Sequence, residues 1–278
     1  MRAFLRRFLE SRRGVIGLVL IAAIVLAAIA APLLFPGDPL DIVGRPLLAP
    51  FADGRFPLGT DRLGRDVAAG LVHGARISVG IGLVAALASL MVGIAIGTTA
   101  GFLGGRVDEG LMRLTEAVQT VPSFILALAL VSLLGPSLHS IVLAIAIGSW
   151  TAPARLVRAE ILSLRARDFV DSCRVVGMGW PEIAFRQLLP NALPPVVALA
   201  GIMVAAAILI ESALAFLGLS DPNVVSWGSM VAGGRAVLRS AAWLVAIPGA
   251  AIAVTVLAVA LVGDGVSDAL AARRGIRL

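Results

Sequence analysis

The sequence predicts an all-α integral membrane protein with six transmembrane helices, and three observations lead there. Of its 278 residues, 59% are hydrophobic and only 14% are charged, whereas a soluble domain carries about a quarter charged residues. Mean hydropathy is +0.99, so a core of this size could not be covered by polar groups. Six apolar segments, at 15–34, 77–102, 117–134, 138–157, 194–219 and 241–262, approach the roughly 20 residues needed to cross a hydrocarbon layer about 30 Å thick.

Residues 1–13 come first. Phe4, Leu5, Phe8 and Leu9 recur at helical spacing among Arg2, Arg6 and Arg7, which suits a short helix lying in the membrane interface. Residues 14–35 form the first membrane helix. Its apolar stretch of about 20 exceeds the 7–15 of a signal-peptide core, so it reads as a retained anchor. Residues 36–75 form a loop rich in Pro, Gly and Asp that ends in the run from Phe56 to Asp66. A five-helix core follows over 76–268. Its third and fourth spans are joined only by Gly135, Pro136 and Ser137, so they pair as a tight hairpin. The third span is expected to run back towards Leu111 as one polar-ended helix. Between the fourth and fifth spans lies a long loop, 159–193, and residues 269–278 are a tail.

Arginine sets the orientation. Sixteen arginines lie before the first span, between the second and third, between the fourth and fifth, and after the sixth; seven lie on the other side. The positive-inside rule puts both termini of a multi-pass protein in the cytoplasm.

Composition excludes several chemistries. All 23 basic side chains are arginine, so no phosphate-binding loop of the G-x-x-x-x-G-K-[ST] type is present, nor any lysine Schiff base. The one cysteine, Cys173, rules out an internal disulfide and a cysteine-clustered metal site. His73 and His139 are too few for a histidine-rich one. A net charge of +6 does not indicate nucleic acid, because the arginines are scattered between apolar spans rather than gathered on one face.

The 159–193 loop is where function is most legible. Asp168 to Gly177 reads as a short helix with Phe169, Cys173 and Val176 on one face and Asp171 and Arg174 on another, stopped by Gly177, Gly179 and Pro181. From pattern alone, the apolar face either rests on lipid and the bundle or meets a partner.

The loop resembles the signature of the membrane subunits of ABC importers: an acid and two alanines, three residues, glycine, nine residues, an apolar residue, one residue, then Leu-Pro. Here Asp171-Ser172-Cys173 fills the first triplet, Gly177 follows after three residues, and Leu189-Pro190 closes the pattern. Gln187 stands at the apolar position, and Ser-Cys replaces Ala-Ala while keeping small size. Further segments resemble the second membrane subunit of the dipeptide, oligopeptide and nickel importers. They are Pro57-Leu58-Gly59-Thr60-Asp61, Gly64-Arg65-Asp66, Ala154 to Glu160, Phe216-Leu217-Gly218-Leu219, Ser226-Trp227-Gly228 and Gly263-Asp264-Gly265. In order, they cover nearly the whole chain.

The resemblance implies a type I importer transmembrane domain that forms half of the path for a small solute, with peptides foremost and nickel chelates or glutathione-like compounds also in range. It implies a cytoplasmic coupling helix carrying Phe169, Asp171, Ser172, Cys173, Arg174 and Gly177, with Leu189 and Pro190 behind it. It also implies a similar second permease, two ATPase subunits that hold ATP and Mg, and an extracytoplasmic binding protein. No cofactor is expected on this chain itself. Thr60, Asp61, Arg65 and Asp66 are expected to cap a helix or to touch the binding protein.

Glu211, with Ser212, sits within the fifth span. An intramembrane carboxylate faces a cavity or a polar partner, so it either walls the path or joins helices. Glu116, Gln119 and Thr120 read as a solvated interfacial cluster, and Arg155, Arg158 and Glu160 as interface anchors. Against the importer stands a self-contained secondary transporter, which would show internal repeats and several ionisable groups at mid-membrane. The halves 14–134 and 138–264 show no clear repeat, and Glu211 is the one acid deep in a span. A membrane-embedded enzyme would need a cluster of His, Asp, Glu or Cys, and the sequence has none.

Overall fold

The computed structural model describes residues 2–271; the tail arginines Arg273, Arg274 and Arg277 lie outside it. Among the described residues no strand forms, and the one β-type pairing is an isolated bridge between Thr60 and Asp66. Helix α1 (Arg2–Glu10) precedes α2 (Arg12–Leu34). Ser11 caps α2 by accepting from the Gly14 amide. Phe8 of α1 is buried, and it lies against the backbone at Gly14 and Gly265.

The 37-residue α3 (Val67–Leu103) contains the second apolar span and begins earlier than hydropathy indicates. Asp66 starts it by accepting from the Ala68 amide at 2.8 Å. His73, Arg76 and small residues in its first turns lower the apolar signal there without weakening the helix. Gly93, Gly97 and Gly101 let α3 cross close to the later helix over 151–165: a methyl on Gly97 would sit 2.4 Å from the Ala154 carbonyl.

The third span corrects the expectation of one continuous helix. α4 (Gly105–Gln119) and α5 (Ser123–Leu134) meet at an 80° bend. Pro122 explains it, because proline lacks an N–H and disfavours helical geometry in the residue before it. Among the described residues, five helices are long and apolar enough to cross a membrane, or six if this bent pair counts as one span. α6 (Leu138–Ser149) and α7 (Thr151–Arg165) together make the fourth span.

After α8 (Asp168–Val175) the chain enters α9 (Trp180–Glu182), a π-helical stretch (Ile183–Leu188) and α10 (Leu189–Phe216). The fifth span thus starts well before residue 194, and much of the 159–193 loop is helix. Pro190 cannot donate to the carbonyl four residues back. The helix widens instead, with the Leu189 amide bonding Ala184 five residues back. α11 (Trp227–Gly234) and α12 (Trp243–Ala271) complete the described chain.

Contacts sort the ends. Phe102 and Arg165 meet at the ends of α3 and α7, and Gly14 meets Gly265. This end also holds α8, whose Val170 packs with Leu164, Ile183 and Leu188. At the opposite end lie the 35–66 loop, Leu138 against Asp221, and Gly74 against Trp227. One apolar core, around Val157, Ile161 and Leu188, underlies the α8 end. A second gathers Ile141 and Ile145 of α6 with Leu214 of α10, towards the opposite end.

Candidate functional site

Helix α8 is built for two surfaces. Asp168 and Asp171 occupy its first turn and Arg174 its last, the arrangement a helix dipole favours. It closes with a Schellman turn: the Gly177 amide bonds the Arg174 carbonyl and the Met178 amide bonds Cys173, both at 3.0 Å. Gly177 sits at φ +81° with nothing near its absent Cβ. The signature glycine is therefore required by backbone conformation rather than by space.

Val170, which the helical reading passed over, is fully buried, and Phe169 and Cys173 pack beside it on the bundle core. Val176 does not share their face. The helix ends at Val175 and the chain turns away, leaving Val175 88% and Val176 76% exposed. Phe185 adds another exposed apolar side chain. Asp171 is exposed and pairs with Arg174 at 2.9 Å, and the Ser172 hydroxyl donates to the Asp168 carbonyl. Leu188 is buried where the signature led us to look at Gln187, which is only half-buried; Leu189 is half-buried and Pro190 exposed.

Trp180 is a residue that sequence reasoning missed. Its indole lies 4.3 Å from the Arg174 guanidinium and 5.7 Å from that of Arg165, and meets Phe102 edge-on at 5.6 Å. Arg165 in turn donates to the Phe102 carbonyl at 2.9 Å. The available signal was a tryptophan in an arginine-rich loop, a pairing suited to cation–π contact. Arg158 forms a two-pronged ion pair with Asp108, and Arg155 bonds Gln119 at 3.0 Å. Both arginines thus tie α7 to α4, beyond any role as interface anchors.

At the other end, the residues singled out between 60 and 66 mostly face inward. Thr60 is fully buried; its hydroxyl donates to the Arg45 carbonyl and accepts from the Leu48 amide. Asp61 accepts from the Leu63 and Arg65 amides, and Asp66 caps α3. The Arg65 Nε is buried without a partner. These groups are the frame of the loop, beside a cleft of about 250 Å³ lined by Asp61, Arg65, Asp221 and Met230.

Glu211 is 1% exposed. The Ser212 hydroxyl donates to its carboxylate at 3.4 Å, and the hydroxyls of Ser226 and Ser78 lie against the same carboxylate. Ser78 also accepts from the Trp227 amide, and Ser226 from Ser229. Glu211 and Ser212 thus lie among polar groups of α3, α10 and the start of α11. Near them, Asp221 takes the Asn223 and Leu138 amides. The Asn223 amide first, then the Leu138 amide and His139, hold its carboxyl below the usual carboxylate range.

The comparisons with known proteins fit this geometry. Residues 93–276 match the family of the binding-protein-dependent transport system inner membrane component. This chain belongs to that family. Residues 1–50 further match the N-terminal transmembrane domain of oligopeptide transport permease C. The permease is 40% identical to the di/tripeptide transport system permease DppC of Pseudomonas aeruginosa over 97% of this chain and 91% of that one. It is 38% identical to the dipeptide transport system permease DppC of Haemophilus influenzae, over 95% and 91%. Its fold matches a chain of the MetNI methionine ABC transporter in an inward-facing conformation, with TM-score 0.61 and 16% identity over 72% of this chain and 96% of that one.

Proposed function

We propose that this permease forms half of the translocation path of an ATP-driven importer for di- or oligopeptides and seats α8 on a separate ATPase subunit. One observation carries this: a short helix at the arginine-rich end buries Phe169, Val170 and Cys173 in its own bundle while turning Val175 and Val176 outward. Apolar side chains so exposed at the end of a bundle call for a partner. The peptide class rests on the relatives named for di- and tripeptide transport.

In this reading both termini are cytoplasmic, and ATP and Mg act on the partner ATPases, consistent with the absence of lysine for a phosphate-binding loop. A second, similar permease completes the path, and an extracytoplasmic binding protein delivers solute to the end framed by Thr60, Asp61, Arg65 and Asp66. Glu211 and Ser212 hold α3, α10 and α11 together beside the path. The test is a mild-detergent pull-down from the native membrane with the bound proteins identified by mass spectrometry. Recovery of a second permease, ATPases and a binding protein is expected. A chain that purifies alone, yet moves solute in liposomes without ATP, would overturn the proposal in favour of a secondary transporter.

A further inference from the structure

Burial of Phe169, Val170 and Cys173 seats α8 on the bundle, but it is an eight-residue helix followed by a glycine turn. A helix so short has little stiffness of its own against its neighbours. For a push on its outer face to reach the membrane helices, its far end must be held as well. The contacts around Trp180 do this. The indole touches one residue from each of three helix ends: Arg174 in the last turn of α8, Arg165 in the last turn of α7 and Phe102 near the end of α3.

Secondary contacts orient both guanidinium groups. Arg174 is oriented by its ion pair with Asp171, and Arg165 by its bond to the Phe102 carbonyl. The ring then leads straight into the π-helical stretch and α10, so a fourth helix, and a third that spans the membrane, shares the junction. An indole suits the place: its broad π face attracts guanidinium groups, and a flat rigid ring spends little conformational entropy.

We infer that Trp180 is a positioning residue, a clasp that makes α8 move as one body with the ends of α3 and α7 and so carries signals between the partner ATPase and the membrane helices. This rests on the reading of α8 as the docking helix. Trp180 is itself half-exposed; the clasp acts through Arg174, Arg165 and Phe102, so Arg165→Met, which leaves the ring and its exposed edge in place, separates it from a direct contact with the ATPase.

The experiment uses the assembled transporter in nanodiscs, with ATP and its binding protein as isolated. Two rates are compared, basal ATP hydrolysis and hydrolysis stimulated by the binding protein. Trp180→Leu is expected to assemble and keep basal hydrolysis within about twofold, while stimulation falls by about tenfold. Trp180→Phe keeps an aromatic face and is expected to restore most of the stimulation. A merely structural role would lower assembly and both rates together, with no such rescue. Wild-type stimulation in Trp180→Leu would overturn the clasp. If that variant does not assemble, Arg165→Met removes one cation and keeps the ring, and unchanged stimulation there would overturn it equally. Cross-linking from Val175→Cys to the ATPase, run in parallel, separates the two claims: no cross-link defeats the docking reading, whereas a cross-link with unchanged stimulation defeats the clasp alone.

Discussion

The two ends of this permease spend their side chains differently. The 35–66 loop turns its polar groups inward: Thr60, Asp61 and Asp66 all serve backbone amides or carbonyls of the loop and of α3. That frame is firm enough to hold Leu47 and Phe51 at positive φ, a conformation costly for side chains of this size. The α8 end does the reverse. It pins a short helix by three inward side chains and one indole, and leaves Val175 and Val176 in the open. The loop exposes apolar side chains as well, Phe51 and Ile42 among them, but on a frame closed largely by its own hydrogen bonds, whereas Val175 and Val176 stand at the end of a short tethered helix whose setting depends on what it meets.

Substitutions at the two ends should therefore fail in different ways. The largest effect is expected for Asp171→Arg, which reverses charge on the exposed surface of α8 and opposes the helix dipole. Membrane insertion should persist while ATPase co-purification and transport drop by about tenfold or more; transport at the wild-type rate would break the comparison. Thr60→Val is expected to cost about 1–3 kcal/mol by stranding the buried Leu48 amide and Arg45 carbonyl. Limited proteolysis should then cut the 35–66 loop faster while ATPase co-purification stays intact. Loss of the ATPases from this variant would mean that the ends are not independent.

The smallest effect belongs to Asp221→Asn. Because the Asp221 carboxyl is held below its ordinary value of 3.8, its contribution is present at neutral pH and disappears as pH falls through the lowered value. The variant should lose about 0.5 kcal/mol at pH 7, a partly exposed group being screened by solvent, and nothing under strongly acidic conditions. A thermal-shift series across pH would show the two curves converge at the acid end. Curves that stay parallel would remove the carboxylate from the tie to Leu138.

Much of this was legible in sequence, for physical reasons. Apolar length locates α2, α3, α10 and α12, because a membrane demands it. The spacing from Asp171 to Gly177 marks α8, and its glycine proves to be the residue of a Schellman turn. What escaped hydropathy is backbone geometry: Pro122 breaks the third span into α4 and α5, whereas Pro190 is absorbed by a π-helical stretch and lets the fifth span begin at Trp180. Helical spacing also put Val176 with Phe169 and Cys173, since it could not foresee that the helix stops at Val175. Thr60 reads as a surface cap and is an interior strut, because its bonds reach back to Arg45 and Leu48, distant in sequence. The Trp180 junction joins helix ends that only the fold brings together.

The central claim is that the outward face of α8 meets an ATPase while its inward face stays with the bundle. The most direct measurement places a single cysteine at Val175 on a Cys173→Ser background, and compares it with the native Cys173 in the assembled transporter. The account predicts that Val175→Cys cross-links to the ATPase subunit and is shielded from a bulky thiol reagent by assembly, whereas Cys173 does not cross-link to it. Free labelling of Val175→Cys in the intact complex, with no cross-link, would contradict it.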